Sequence, residues 1–196
     1  AKNTLRKKIN TIINSTPFSQ ILQTKKIIIS NISEPKQTET TQRWKITLKF
    51  SNISIELPTK IEFSRRDFNN NVLFQPIDPI IISEYFLRPI LVNHYPMEIA
   101  FQQKILALMH RTQTQARDVF DLYHLICLGE KGIFHDKNII NNLSIAQENM
   151  LTLKFKDFKS QVLAYLPESY KKVYDSEEIW HSMIKAISEK LEKAQQ

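Results

Sequence analysis

Apolar residues recur along this chain in two different rhythms, and the change from one to the other divides it. Trp44, Ile46, Leu48 and Phe50 alternate with polar positions, as do Ile53, Ile55 and Leu57 and then Ile61 and Phe63. A period of two puts every second side chain on one face of a pleated strand, so 44–50 and 53–63 are predicted as strands with one buried face. Pro58 cannot donate to a ladder; it either marks a sheet edge or splits the second strand into two pieces joined by a bend. Lys25 to Ser30 reads as a further strand, and the polar stretch 30–42 as a hairpin loop or an irregular excursion. Val72 to Ile82, interrupted by Pro76 and Pro79, reads as extended chain lying across a sheet edge. Ahead of the strands, Leu5, Ile9, Ile12 and Ile13 fall at helical spacing among Arg6, Lys7 and Lys8, which predicts a short surface helix.

From Pro96 onward the rhythm is helical. Pro96 pre-organises a first turn, and Ile99, Ile105, Leu106, Leu108 and Met109 cover one broad face. Residues 112–115 form a link to a second helix, from about Ala116 to Leu128, with Gly129 as its stop. Further helices are expected from Lys137 to about Gln147, around Phe155 to Tyr165 before Pro167, and from about Ser176 to Lys193. In the last of these Glu177 and Glu178 sit where the helix dipole favours them. Phe155 and Phe158, three apart, are expected in the core rather than as base-stacking platforms. The expected fold class is therefore α+β: a mostly β part over residues 1–95, then a helical domain over 96–196, with no internal repeat.

Composition narrows the function classes. The 196 residues carry 27 basic and 20 acidic side chains, a formal charge of +7, which raises the prior on an anionic partner such as RNA or a nucleotide. Cys127 is the single cysteine, so a disulfide framework within the chain is excluded, and it is expected on the apolar face of its helix. Gly129 and Gly132 are the only glycines, which excludes a glycine-rich phosphate loop within these residues. No apolar run is long enough to cross a bilayer, and a cytoplasmic location is expected.

One constellation has chemical potential. Lys104 and Arg111 are seven apart, two helical turns, and point the same way. On the next helix Arg117 and Asp121 are spaced i,i+4, and Asp118 and Asp121 i,i+3. A short link makes the two helices pack antiparallel, so the Lys104 face meets the Asp118 and Asp121 face. Cations stabilise charge developing on phosphates, and carboxylates hold magnesium or take a proton from an attacking hydroxyl. Arg and Asp at this spacing also form ordinary structural ion pairs, and Arg117 pinning Asp121 is one such expectation. His94, His110 and His124 lack a compact ligand spacing.

The run Lys104-Ile-Leu-Ala-Leu-Met-His-Arg111, followed by Ala116-Arg117-Asp118-Val-Phe-Asp121-Leu122, resembles the Lys-to-Arg-Asp-x-x-Asp-Leu helical pair of the AbiEii-like nucleotidyltransferases, toxins of bacterial toxin–antitoxin pairs. Lys60 to Arg65 is similar to the strand that follows the catalytic carboxylates in that family, so the resemblance covers about residues 40 to 130. It implies a partial nucleotidyltransferase-like sheet followed by a helical bundle. It further implies transfer of a nucleoside monophosphate from a nucleoside triphosphate to a hydroxyl of RNA, commonly tRNA, or of protein. Lys104, Asp118 and Asp121 take the catalytic roles, Lys104, Arg111 and Arg117 the nucleotide contacts, and Glu62 a place at the magnesium site. Arg65 and Arg66 could meet a phosphate or face solvent. An antitoxin is the implied protein partner.

The family builds its nucleotide and metal site on an early Gly-Gly-Thr or Gly-Ser turn and an Asp-x-Asp strand. Neither occurs in this sequence, whose first aspartate is Asp67. The expectation is a larger C-terminal part of a longer protein, or a degenerate relative that kept the scaffold, with magnesium and nucleotide bound by the complete enzyme and neither necessarily by this chain. The alternative is a non-catalytic module that binds RNA or an antitoxin.

Overall fold

The alternating stretches fold into an antiparallel sheet of order β1-β2-β3, made by Ile27–Gln37, Thr41–Phe50 and Ile53–Ser64. The computed structural model describes residues 2–51, 53–64, 72–132 and 134–195; Arg65, Arg66 and Asp67 lie outside them. The chain divides into two units, residues 1–69 and 70–196.

In the first unit the sheet is joined by α1 (Lys2–Ile13) and α2 (Thr16–Thr24). Trp44 has no solvent exposure, and its indole Nε1 donates to Asn10 Oδ1 of α1 at 2.7 Å. A buried indole N–H needs such a partner, and this one ties the helix to the central strand. Asn10 Nδ2 in turn donates to Glu34 of β1, which also pairs with Arg6. Among the described residues, Ile13, Trp44 and Ile46 are the buried apolar residues of this cluster. So small a core cannot cover the whole sheet, and Ile55 and Leu57 stay exposed despite their alternation.

The structure corrects one expectation here and decides between the two alternatives at Pro58. β1 runs on to Gln37, so most of the polar stretch is strand, and the hairpin turn is confined to residues 38–40. Its polarity reflects a strand largely open to solvent rather than a loop. β3 passes through Pro58 without a break, with Pro58 opposite Thr47. Among the described residues β3 pairs with β2 alone, so the missing N–H costs no second ladder, and Pro58 marks an edge.

The second unit opens with a two-stranded antiparallel ribbon, β4 (Leu73–Pro76) and β5 (Leu91–His94), with α3 (Pro79–Glu84) between them. The segment expected to be extended thus contains a helix. Asp78 Oδ1 accepts from the N–H of Ile80 at 2.7 Å, and Pro79 occupies the first turn, where its missing N–H is no loss.

The rest is helical: α4 (Met97–His110), α5 (Ala116–Cys127), α6 (Lys137–Asn141), α7 (Leu143–Leu151), α8 (Phe155–Gln161), a 3-10 turn at Leu163–Tyr165, α9 (Glu168–Tyr174) and α10 (Glu177–Ala194). The helix expected over 137–147 is two helices. Asn142 ends α6 and precedes α7. The core joins Phe101, Ile105 and Leu108 of α4, Val119 and Leu122 of α5, Met150 of α7 and the Trp180, Met183, Ile187 stripe of α10. Phe158 is fully buried and stacks on Trp180, centroids 5.1 Å apart, as core side chains do. Gly129 ends α5 with φ +99°, a left-handed conformation that a side chain would strain. Cys127 is exposed rather than on the buried face. The fold is α+β, with small antiparallel sheets followed by a helical C-terminal region.

Candidate functional site

α4 and α5 pack on each other through Phe101, Ile105, Leu108, Val119 and Leu122, and this contact brings the charged residues of the two helices together. Arg111 follows the end of α4 and meets Asp118 in the first turn of α5: Nε lies 2.7 Å from Oδ2. Two turns earlier on α4, Lys104 Nζ lies 3.3 Å from Asp118 Oδ1 and 2.5 Å from Asp121 Oδ2. Pairing thus runs backward along α4 as it runs forward along α5, which is the order of an antiparallel helix pair. Lys104, Arg111, Asp118 and Asp121, all expected at the site, form one cluster.

Their environments differ. The Asp118 side chain is 0 % exposed, against 31 % for Lys104 and 43 % for Asp121. A buried carboxylate is costly unless it is paired and hydrogen-bonded. Asp118 has two cations and the positive end of α5. Its Oδ1 accepts from Lys104 Nζ at 3.3 Å and from Arg111 Nη2 at 3.4 Å. Oδ2 has the Nε of Arg111 as an ion-pair partner, but no hydrogen bond is aligned on it. Asp118 therefore fixes both cations from below, while Asp121 is reachable from solvent.

Arg117 does not pin Asp121. Packing of α4 puts Lys104 there first, and among the described residues Arg117 has no ion pair or hydrogen bond. It lines an open cleft of ≈ 590 Å³ with Gln115, Phe120, Asp121, Gln161 and Tyr165. Gln161 Oε1 accepts from the N–H of Ala116 at 2.8 Å, capping α5 from a segment 45 residues away. Nothing in the local sequence of either segment signals this cleft.

Glu62 belongs to the first unit, on β3, where its carboxylate accepts from Arg43 Nε of the neighbouring strand at 2.6 Å. That hydrogen bond lowers the Glu62 pKa, with the nearby positive charges of Arg43, Lys60 and Lys36 adding to it. Among the described residues no three His, Cys, Asp or Glu side chains gather as a metal site. The two aspartates of the cluster are offset by Lys104 and Arg111, so they offer a dication no net negative charge. The described residues do not by themselves fit a magnesium ion. His94 contacts Gln75 and the carbonyl of Tyr95, and His124 lies against Phe120.

At the other end of α5, the Tyr123 pKa is raised, first by a hydrogen bond with Cys127 and then by burial. That of Tyr174 is raised chiefly by burial.

The family model described as nucleotidyl transferase AbiEii toxin, Type IV TA system, matches residues 2–191. No curated protein matches the chain. Two crystal structures from Helicobacter pylori are similar in fold. One is a candidate nucleotidyltransferase, with TM-score 0.52 and 22 % identity over 85 % of this chain and 69 % of that one. The other is JHP933, with TM-score 0.52 and 21 % identity over 85 % of this chain and 67 % of that one.

Proposed function

The chain belongs to the AbiEii nucleotidyltransferase toxin family, and on that premise we propose that it carries the lysine–arginine–aspartate half of a site that transfers a nucleoside monophosphate from a nucleoside triphosphate to a hydroxyl of RNA, most simply tRNA, or of protein. The observation that supports this reading is Lys104, held between Asp118 and Asp121, with Arg111 on the same buried carboxylate.

In the reaction the hydroxyl oxygen bonds to the α-phosphorus, the bond from that phosphorus to the α–β bridging oxygen breaks, and pyrophosphate leaves. The hydroxyl proton passes to a base. Lys104 and Arg111 stabilise charge on the phosphate oxygens, and because Asp118 already orients them little reorganisation is needed in the transition state. Asp121, the accessible carboxylate, receives the proton. Asp118 is a positioning residue. Magnesium would accompany the triphosphate and offset part of its charge. A bacterial cytoplasm supplies the nucleotide and the acceptor, and the family's toxin–antitoxin description supports an antitoxin as partner.

One observation favours a second reading, a module that binds RNA or an antitoxin without chemistry: both aspartates of the cluster are already matched by cations. The discriminating experiment is transfer of label from each α-labelled nucleoside triphosphate, with magnesium, to total small RNA and to added protein. It is run with the 196-residue chain and with the longest product of its reading frame. Label in either acceptor supports the enzyme; none with either form supports the module.

A further inference from the structure

The cleft beside Asp121 is unexplained by the Lys104 cluster. Its walls come from α5 and from the end of α8 with the turn after it. Arg117 brings a guanidinium with no partner among the described residues. Tyr165 brings a ring 80 % exposed that touches no other aromatic there. Gln161 spends its carbonyl on Ala116, which fixes the side chain and leaves its amide N–H groups as donors. Asp121 stands at the rim with its carboxylate toward Lys104. Together the Arg117 guanidinium, the Tyr165 ring and the Gln161 amide give the cleft one anion contact, one flat apolar contact and one set of donors. A volume of ≈ 590 Å³ lies in the range of small-ligand sites.

We propose that this cleft is a second nucleotide subsite, separate from the triphosphate contacts of Lys104 and Arg111. It takes one nucleotide with its phosphate on Arg117 and its base against the Tyr165 ring, Gln161 donating to a base or sugar oxygen. Aromatic stacking with guanidinium-bound phosphate is the chemistry by which single-stranded nucleic acid is held. The nucleotide can come from the end of an RNA strand or from a free nucleoside triphosphate. Its placement next to Asp121 matters for transfer only under the function proposed above, and its binding does not depend on that function.

The test uses the full chain and two probes: a fluorescein-labelled single-stranded RNA tetranucleotide with a free 3′ hydroxyl, and a nucleoside triphosphate. Tyr165→Ala and Arg117→Gln should each weaken binding of at least one probe by about tenfold, while Tyr165→Phe keeps it. Both positions are exposed, and thermal unfolding of the variants checks that the fold is retained. Loss confined to the tetranucleotide assigns the cleft to an RNA strand, and loss confined to the triphosphate assigns it to the free nucleotide; both uphold the subsite. Binding of neither probe, binding unmoved by both substitutions, or an Arg117-dependent preference for an acidic peptide over both probes overturns it. Transfer activity alongside probe binding that both substitutions leave unmoved sinks the subsite alone, whereas probe binding through Tyr165 and Arg117 without any transfer sinks the enzyme reading alone.

Discussion

Arg111 Nε lies 2.7 Å from Oδ2 of Asp118, a carboxylate with no exposure to solvent. The pair joins the end of one helix to the first turn of the next, where the apolar packing of α4 on α5 has brought the two charges together. Arg111→Met should leave a buried charge with Lys104 as its one remaining ion-pair partner, and breaking such a pair costs about 3 kcal/mol. A fall of several degrees in the thermal midpoint checks this. Asp118→Asn, which removes the buried charge itself, should cost less than Arg111→Met.

Lys104 is different because its ammonium is partly exposed and its loss leaves Asp118 paired to Arg111. Lys104→Ala should change stability by no more than about 1 kcal/mol, yet reduce transfer by roughly 100-fold or more, as loss of a preorganised charge contact does. Parallel denaturant unfolding and activity measurements separate the two effects.

The first unit offers an independent check. Asn10→Ala removes the acceptor of the Trp44 indole, which is fully buried. An orphaned buried donor costs about 1–3 kcal/mol, and unfolding followed by tryptophan fluorescence reads it. Asn14→Ala, at an exposed position, should be near neutral.

Alkaline pH should loosen the helical unit. Tyr123 and Tyr174 both have pKa values raised in the folded chain, by the Cys127 hydrogen bond and burial and by burial respectively. The neutral phenols are favoured by folding, so their contribution is fully present below the ordinary tyrosine pKa. It is lost as pH rises through the folded values. Stability measured between neutrality and pH ~11 should fall, and Tyr123→Phe with Tyr174→Phe should flatten the decline.

How much of this was legible in the sequence varies with the distance over which the physics acts. The alternation from Trp44 to Phe50 was readable because a half-buried strand needs only local pattern. α2 and α3 were missed because helices of 9 and 6 residues are too short for apolar periodicity to emerge. Their signals were caps instead, Ser15 two residues before Pro17, and Asp78 before Pro79. The four clustered residues were legible from helix spacing and the resemblance. The meeting of Lys104 with Asp118 and Asp121 followed from the antiparallel pairing, whereas the local spacing along α5 that favours Arg117 with Asp121 was overridden by tertiary packing. The cleft needs α5 and the segment near Gln161, and no local pattern couples them.

The role of Lys104 in nucleotidyl transfer is decided by following α-labelled and γ-labelled nucleoside triphosphate in parallel, with the unaltered protein and with Lys104→Ala. Transfer through Lys104 puts α label in the acceptor, releases γ label in pyrophosphate, and loses α transfer in the variant. Label in the acceptor from the γ position instead, or α transfer unchanged without Lys104, would contradict it.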